Sequence, residues 1–274
     1  MRRVIEDPSP QPEESPQPEV TADAGAPLVL VPVTAEDVSR RRSRIVRACL
    51  IAGLVIAGAG GWMYKRTMDP MHAQESYDSG VRLLKIARYQ QAILSFDRAI
   101  KLKPDFADAY LMRGRAFIAE AKPERAVADF SAVIELHPGD PQGLIDRGTA
   151  YLDVKDYQAA IADANAAIQL NPNLDLAYNL RGAVVRAAGD LSAALDDFNK
   201  AVKLAPTSYN YYDRGATYQM MGQHRRAIED FNQVVAYHPD TAAGYFARAE
   251  SRRALGDVEG AQEDHLRGRI LDGR

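Results

Sequence analysis

Residues 107–122 read ADAYLMRGRAFIAEAK, and the same text returns at 141–156 as PQGLIDRGTAYLDVKD and at 175–190 as DLAYNLRGAVVRAAGD. Gly80, Gly114, Gly148 and Gly182 fall 34 residues apart and Gly215 follows after 33, while Ala92, Ala126, Ala160, Ala194, Ala227 and Ala261 keep the same beat. Pro104, Pro138, Pro172, Pro206 and Pro239 close successive copies. Between them recur Tyr110, Tyr178, Tyr211 and Tyr245 early in the unit, Phe117, Tyr151 and Tyr218 seven residues later, and Phe96, Phe130, Phe198 and Phe231 in the second half. A repeat of this length is the signature of a stacked array. Glycine and alanine let two helix axes approach, aromatics fill the space beside them, and proline ends the second helix. Each unit reads as two amphipathic helices, and the units run 73–106, 107–140, 141–174, 175–207, 208–241 and 242–274.

The pattern resembles the tetratricopeptide repeat (TPR) family in its bacterial A-Y-x-x-R-G-x-A-Y form, over about residues 73 to 274. The resemblance implies an all-α, right-handed solenoid of helix-turn-helix repeats. The sixth unit departs from the pattern, with Ala249 at the glycine position and His265 where phenylalanine is expected. Its second helix, rich in Gln262, Glu263, Asp264 and Arg267, reads as a cap that faces water.

A second series lies inside the repeat. Arg113, Arg147, Arg181, Arg214 and Arg248 stand at the seventh position of units two to six, and Asp129, Asp163, Asp197, Asp230 and Asp264 stand 16 residues after each. The first unit has Ser79 and Ser95 instead. Joint presence and joint absence predict a structural ion-pair ladder between first and second helices, within a unit or across neighbouring ones, because a partly buried charge is costly without its partner.

The N-terminal quarter has a different composition. Residues 1–39 carry seven prolines among Glu, Gln and Ser and no aromatic residue, which reads as a disordered tail. From Ala48 to Tyr64 there are 17 residues without a charge, extended by Ile45 and Val46 beyond Arg47. At about 1.5 Å per residue, 45–64 is long enough to cross a hydrocarbon core as one transmembrane helix. The basic flank and span occupy 40–66, with 67–72 as a linker. Arg40, Arg41, Arg42, Arg44 and Arg47 precede the span and only Lys65 and Arg66 follow it closely, so the positive-inside bias predicts a cytoplasmic N-terminus and a TPR domain on the periplasmic or extracytoplasmic side. Gly53, Ala57 and Gly61 give one smooth helix face, a candidate homodimer contact.

Catalytic chemistry finds no support. With 34 Lys+Arg against 37 Asp+Glu there is no basic excess to neutralise phosphates, which excludes a dedicated nucleic-acid binder. None of the five histidines pairs at metal-ligand spacing, the single cysteine, Cys49, lies in the apolar span, and no phosphate-binding glycine loop or nucleophile elbow occurs, so no enzyme, metal or cofactor is expected.

What remains is a surface for a protein or peptide. In the TPR family the first helices line a concave groove, and the second, fifth, sixth and ninth positions of each unit point into it. Carried onto this chain, those positions include Leu111, Met112 and Arg115, then Ile145, then Leu176, Asn179 and Leu180, then Tyr209 and Tyr212, then Phe246, interrupted by Asp108, Asp146, Asp213 and Glu250. The Lys/Asn/Arg clamp by which some family members hold a C-terminal carboxylate is missing: the matching positions from unit one are Tyr77, Val81, Met112, Gln142 and Asp146. The sequence thus predicts a membrane-anchored scaffold or adaptor, by analogy one serving secretion or envelope assembly. The alternative is the inverted orientation, a cytoplasmic-facing membrane adaptor or co-chaperone-like protein.

Overall fold

The computed structural model describes residues 69–273, and among them the secondary structure is twelve helices with no strand. They are α1 (69–85), α2 (Tyr89–Leu102), α3 (Ala107–Ala119), α4 (Pro123–Leu136), α5 (Pro141–Asp153), α6 (Tyr157–Leu170), α7 (Asp175–Ala187), α8 (Leu191–Leu204), α9 (Ser208–Met220), α10 (His224–Tyr237), α11 (Ala242–Ala254) and α12 (Val258–Leu271). The chain is already helical at residue 69, so the stretch expected as a linker belongs to α1 from there onward. The tail, the apolar span at 45–64 and its Gly53, Ala57 and Gly61 face lie outside the described residues. Among the described residues no helix is long and apolar enough to cross a membrane.

From α3 on each odd-numbered helix packs on the even-numbered helix that follows it, α1 meets α2 through Tyr77 and Phe96, and α2, α4, α6, α8 and α10 each pack on the first helix of the next unit. The close approach depends on glycine. A Cβ placed on Gly114 would lie 2.6 Å from the ring of Phe130, and one on Gly80 would lie 2.5 Å from Phe96. Phe96, Phe130, Phe198 and Phe231 are fully buried at these crossings, beside alanines that are equally inaccessible.

Two units solve the same packing differently. Unit three has Ala164 where units one, two, four and five have phenylalanine, and Leu180 of the next unit fills the space, its Cδ2 lying 2.6 Å from where a Gly148 Cβ would be. Unit six moves the aromatic to its first helix: Phe246 sits against Gly268 of α12, and its ring is 5.4 Å from that of His265.

The turns within units are built alike. In each, the last residue donates to a carbonyl five residues back and the middle residue to one three back, as Lys122 to Phe117 and Ala121 to Ile118. This closure puts the middle residue in the left-handed region. Gly189, Gly222 and Gly256 take that position in units four to six, whereas Ala87, Ala121 and Lys155 take it in units one to three at φ of 56°, 55° and 64°. Asp140, Asp156, Asp190, Thr207 and Asp257 cap the helices that follow them by accepting from backbone N–H groups.

Candidate protein-binding groove

First helices of successive units meet directly, α5 with α7, α7 with α9 and α9 with α11, so these helices form a continuous face of the stack. The second position of the unit is open to solvent in five of the six units: Leu176 and Tyr209 are exposed, Tyr209 to 58%, in line with Gln74, Asp108 and Ala243, while Gln142 is half-buried. Tyr212 is exposed at one edge while its ring lies 5.8 Å from that of Phe231, and Tyr77 makes the corresponding contact with Phe96 at 5.9 Å. Leu111, Met112 and Arg115 are half-buried, and Arg115 donates to Asp146 of the next first helix at 3.0 Å.

Four of the ten sequence-predicted groove residues are placed elsewhere. Ile145 and Leu180 are buried in hydrophobic clusters. Phe246 packs on α12, where it supplies the aromatic that the second helix of its unit lacks. Asn179 is 1% exposed and holds two units together, donating to Asn210 Oδ1 at 3.1 Å and Asp213 Oδ2 at 3.2 Å. Asn210 in turn donates to Asp175 and to the Ala205 carbonyl, and Arg186 donates to the Asp213 carboxylate and carbonyl. A buried polar cluster is tolerated only when its members are satisfied, and this one joins α7 to α9 beneath Tyr209 and Tyr212. The open part of the groove is therefore narrower than the family positions suggest: Leu176, Tyr209 and the Tyr212 edge at its centre, Met112, Leu111 and Arg115 towards the N-terminal end. At that end burial, and then the carboxylates of Asp108 and Asp78, push the Tyr77 phenol above its ordinary pKa, while Arg115 pulls it down.

The Arg and Asp series meet within units. Arg113 Nε and Nη2 donate to Asp129 at 2.9 and 2.6 Å, and the same two-point contact joins Arg147 to Asp163, Arg181 to Asp197, Arg214 to Asp230 and Arg248 to Asp264. Planar two-point pairing suits the guanidinium fork. The aromatics early in the unit flank it: Arg113, Arg181, Arg214 and Arg248 lie 5.5–5.6 Å from the rings of Tyr110, Tyr178, Tyr211 and Tyr245. Hydrogen bonds to the aspartates hold Arg147, Arg181, Arg214 and Arg248 above the ordinary guanidinium pKa against the opposing effect of burial. At Arg113 burial is the largest influence, and Asp129 and Asp97 together outweigh it. Asp129 itself is pushed up, by burial first and by Asp97, against the downward pull of Arg113 and Arg125.

Each clamp has a third corner that the sequence pattern does not mark. Nη1 of the five arginines reaches back to the second helix of the preceding unit, to Asp97, Ser131, Asn165, Asn199 and Asn232. Every clamp thus ties three helices in two units. Unit one has Ser79 and Ser95 at the two positions, and among the described residues no unit precedes α1 for a guanidinium there to reach. At the other end, the acceptor position of unit six is Leu266. The outermost units each lack the half of the clamp that would face outward.

A tetratricopeptide repeat profile matches residues 77–141, 145–209 and 212–268. The chain belongs to the tetratricopeptide repeat family, whose fold ordinarily serves as a non-catalytic scaffold for protein–protein interaction. Among solved structures it is similar to a tetratricopeptide repeat protein of Parabacteroides merdae, at 20% identity and a TM-score of 0.65, over 85% of this chain and 91% of that one. It is also similar to a thermophilic TPR protein of Thermus thermophilus, at 20% identity and a TM-score of 0.58, over 67% and 98% of the two chains. Pseudomonas aeruginosa pilF follows at 16% identity and a TM-score of 0.59, over 74% and 93%. At these identities the likeness is one of fold. No curated protein matches the chain.

Proposed function

We propose that this protein is a membrane-anchored scaffold that binds a segment of a partner protein along its first-helix face, with the TPR domain on the extracytoplasmic side of the membrane and the partner drawn from secretion or envelope assembly. The observation that carries the binding reading is the apolar and aromatic strip of Leu176, Tyr209 and the Tyr212 edge, seated on a fully hydrogen-bonded base. Large side chains on a rigid support lose little entropy on binding and are the usual anchors of an interface. Anchoring and orientation rest on the 45–64 span and its arginine flank. Scaffold action here needs no chemistry from the chain: binding energy and proximity to the membrane are its whole contribution.

Two measurements test the proposal. A photoreactive amino acid at Tyr209 should cross-link a discrete partner in intact cells, and the same group at Lys200 on the second-helix side should not. Leu176→Asp, with the photoreactive group kept at position 209, should abolish that adduct while leaving the helical melt unchanged, and an adduct that persists in the folded variant would move the site off this face. For topology, an impermeant thiol reagent should label Ser192→Cys, an exposed position, in a Cys49→Ala background before the inner membrane is opened. Labelling only after opening would favour the cytoplasmic-facing adaptor.

A further inference from the structure

The outer face of α12 carries a row that the repeat pattern does not explain. Val258, Leu266 and Ile270 are 57–60% exposed, and with Gln262 they recur every four residues along one side of the helix. Leu266 lies at the centre of this side, opposite the buried Ala261, Asp264 and Gly268. In the first five units the Leu266 position is polar and takes a guanidinium from the next unit. In unit six it is leucine, so this face is unsuited to another repeat of the same kind and suited to an apolar partner.

Charge along the helix says which partner. Glu259 and Glu263 occupy its N-terminal half and Arg267 and Arg269 its C-terminal half; all four are exposed, and none is held in an ion pair among the described residues. A second α12 laid antiparallel, with the two-fold axis near residue 264, puts residues whose numbers sum to about 528 at the same level. Val258 then faces Ile270 of the second copy, and Gln262 faces its Leu266. Glu259 comes level with Arg269 of the second copy, and Glu263 falls within about 3 Å, along the axis, of its Arg267. A parallel pairing would set like charges against each other. Head-to-tail stacking would bring α1 of another copy, whose outward positions are Glu75, Ser76, Ser79 and Arg82, against the apolar row. Only the antiparallel pairing satisfies both the apolar row and the charges.

We infer that α12 is a self-association surface through which two copies of this chain pair end to end, antiparallel across Val258, Leu266 and Ile270. One helix per copy is a small contact, so the pairing is weak, with a Kd of about 10–100 µM. It leaves the first-helix groove of both copies free and makes the assembly bivalent.

Charge exchange on the full chain in detergent tests this. Variant P carries Glu259→Lys and Glu263→Lys; variant N carries Arg267→Glu and Arg269→Glu. Each copy is labelled with a dye at Ser192→Cys in the Cys49→Ala background, and energy transfer is read between labelled pools. Wild type should pair with itself, P with P and N with N at least tenfold more weakly, and P with N at least as well as wild type. Adding Leu266→Asp and Ile270→Asp to both P and N should remove the P–N signal. Equal transfer in all combinations would place any association elsewhere, including the transmembrane span, and overturn the inference. No transfer for wild type at 100 µM, or a P–N signal that survives the aspartates, would do the same. Unchanged melting of each variant by circular dichroism separates lost pairing from lost fold.

Discussion

Removing Arg181 and Asp197, singly and together, is the most direct measure of what the clamps do. Arg181 gives two hydrogen bonds to Asp197, at 2.9 and 2.7 Å, and one to Asn165 at 2.8 Å. Its side chain is 30% exposed and that of Asp197 is 12% exposed, so the two partners stand differently when left alone. In Arg181→Ala the carboxylate stays in a poorly hydrated site with no donor, a situation worth 3–5 kcal/mol when fully buried and, at this residual exposure, about 3 kcal/mol. In Asp197→Ala the arginine keeps Asn165 and can turn towards water, for a loss of about 1.5 kcal/mol. The double variant loses packing and the contact to the preceding unit but strands no charge, and we expect about 2 kcal/mol. The coupling is then about 2.5 kcal/mol, far above the roughly 0.5 kcal/mol scatter of independent sites. Urea titration followed by circular dichroism reads all four proteins, with amide exchange in α6 and α8 to localise the loss should unfolding of the stack be other than all-or-none. Additivity within that scatter, or a double variant weaker than Arg181→Ala, refutes the reasoning.

Three further outcomes follow from the packing and the turns. Ala121→Gly and Lys155→Gly should each raise stability by about 0.5–1 kcal/mol in urea titrations, since a left-handed L-residue costs roughly 1–2 kcal/mol and glycine's extra chain entropy returns only part of it; a loss would mean the alanine and lysine turns are not strained. Gly114→Ala should cost about 1–3 kcal/mol by overpacking against Phe130, whereas Gly139→Ala, with open space around it, should be near neutral in the same thermal melts. Asp129 is raised in the folded state, so the folded chain holds a proton longer than the unfolded one, and this group's contribution to stability falls as pH rises from about 4 to its raised value. Asp97→Asn removes part of that upward push, and its urea midpoint should decline less over the same interval than that of wild type.

Helix count and register were legible because the constraints that set them repeat: glycine at the crossing, alanine beside it, phenylalanine across from it, proline after. The Arg and Asp series was legible for the same reason. Its third corner was not, because that position asks only for an acceptor, and Asp97, Ser131, Asn165, Asn199 and Asn232 share a function without sharing an identity. The spacing alone held the signal, and an acceptor count by register would have found it. The groove was legible in part. Whether a sixth-position leucine faces solvent depends on the neighbouring unit, and Leu180 is drawn inward by the small Ala164 of unit three. Phe246 likewise follows Gly268, one helix away, rather than its own place in the pattern. Positions decided by a residue some twenty places distant carry no local mark of their fate.

The clamps make length a modular quantity. Since a donor always finds its third partner one unit back, excising residues 141–174 would bring Arg181 to Ser131 and leave each remaining guanidinium with a full set of acceptors. A cut that is not a whole number of units would set guanidinium against the wrong helix face, apart from the one-residue tolerance that the turn before α9 already uses, where Arg214 reaches back 15 residues instead of 16. Recombination in such a chain adds or deletes reach along the groove in whole steps, and the boundary residues, Ser79 and Leu266, would move with the ends while the interior remains interchangeable.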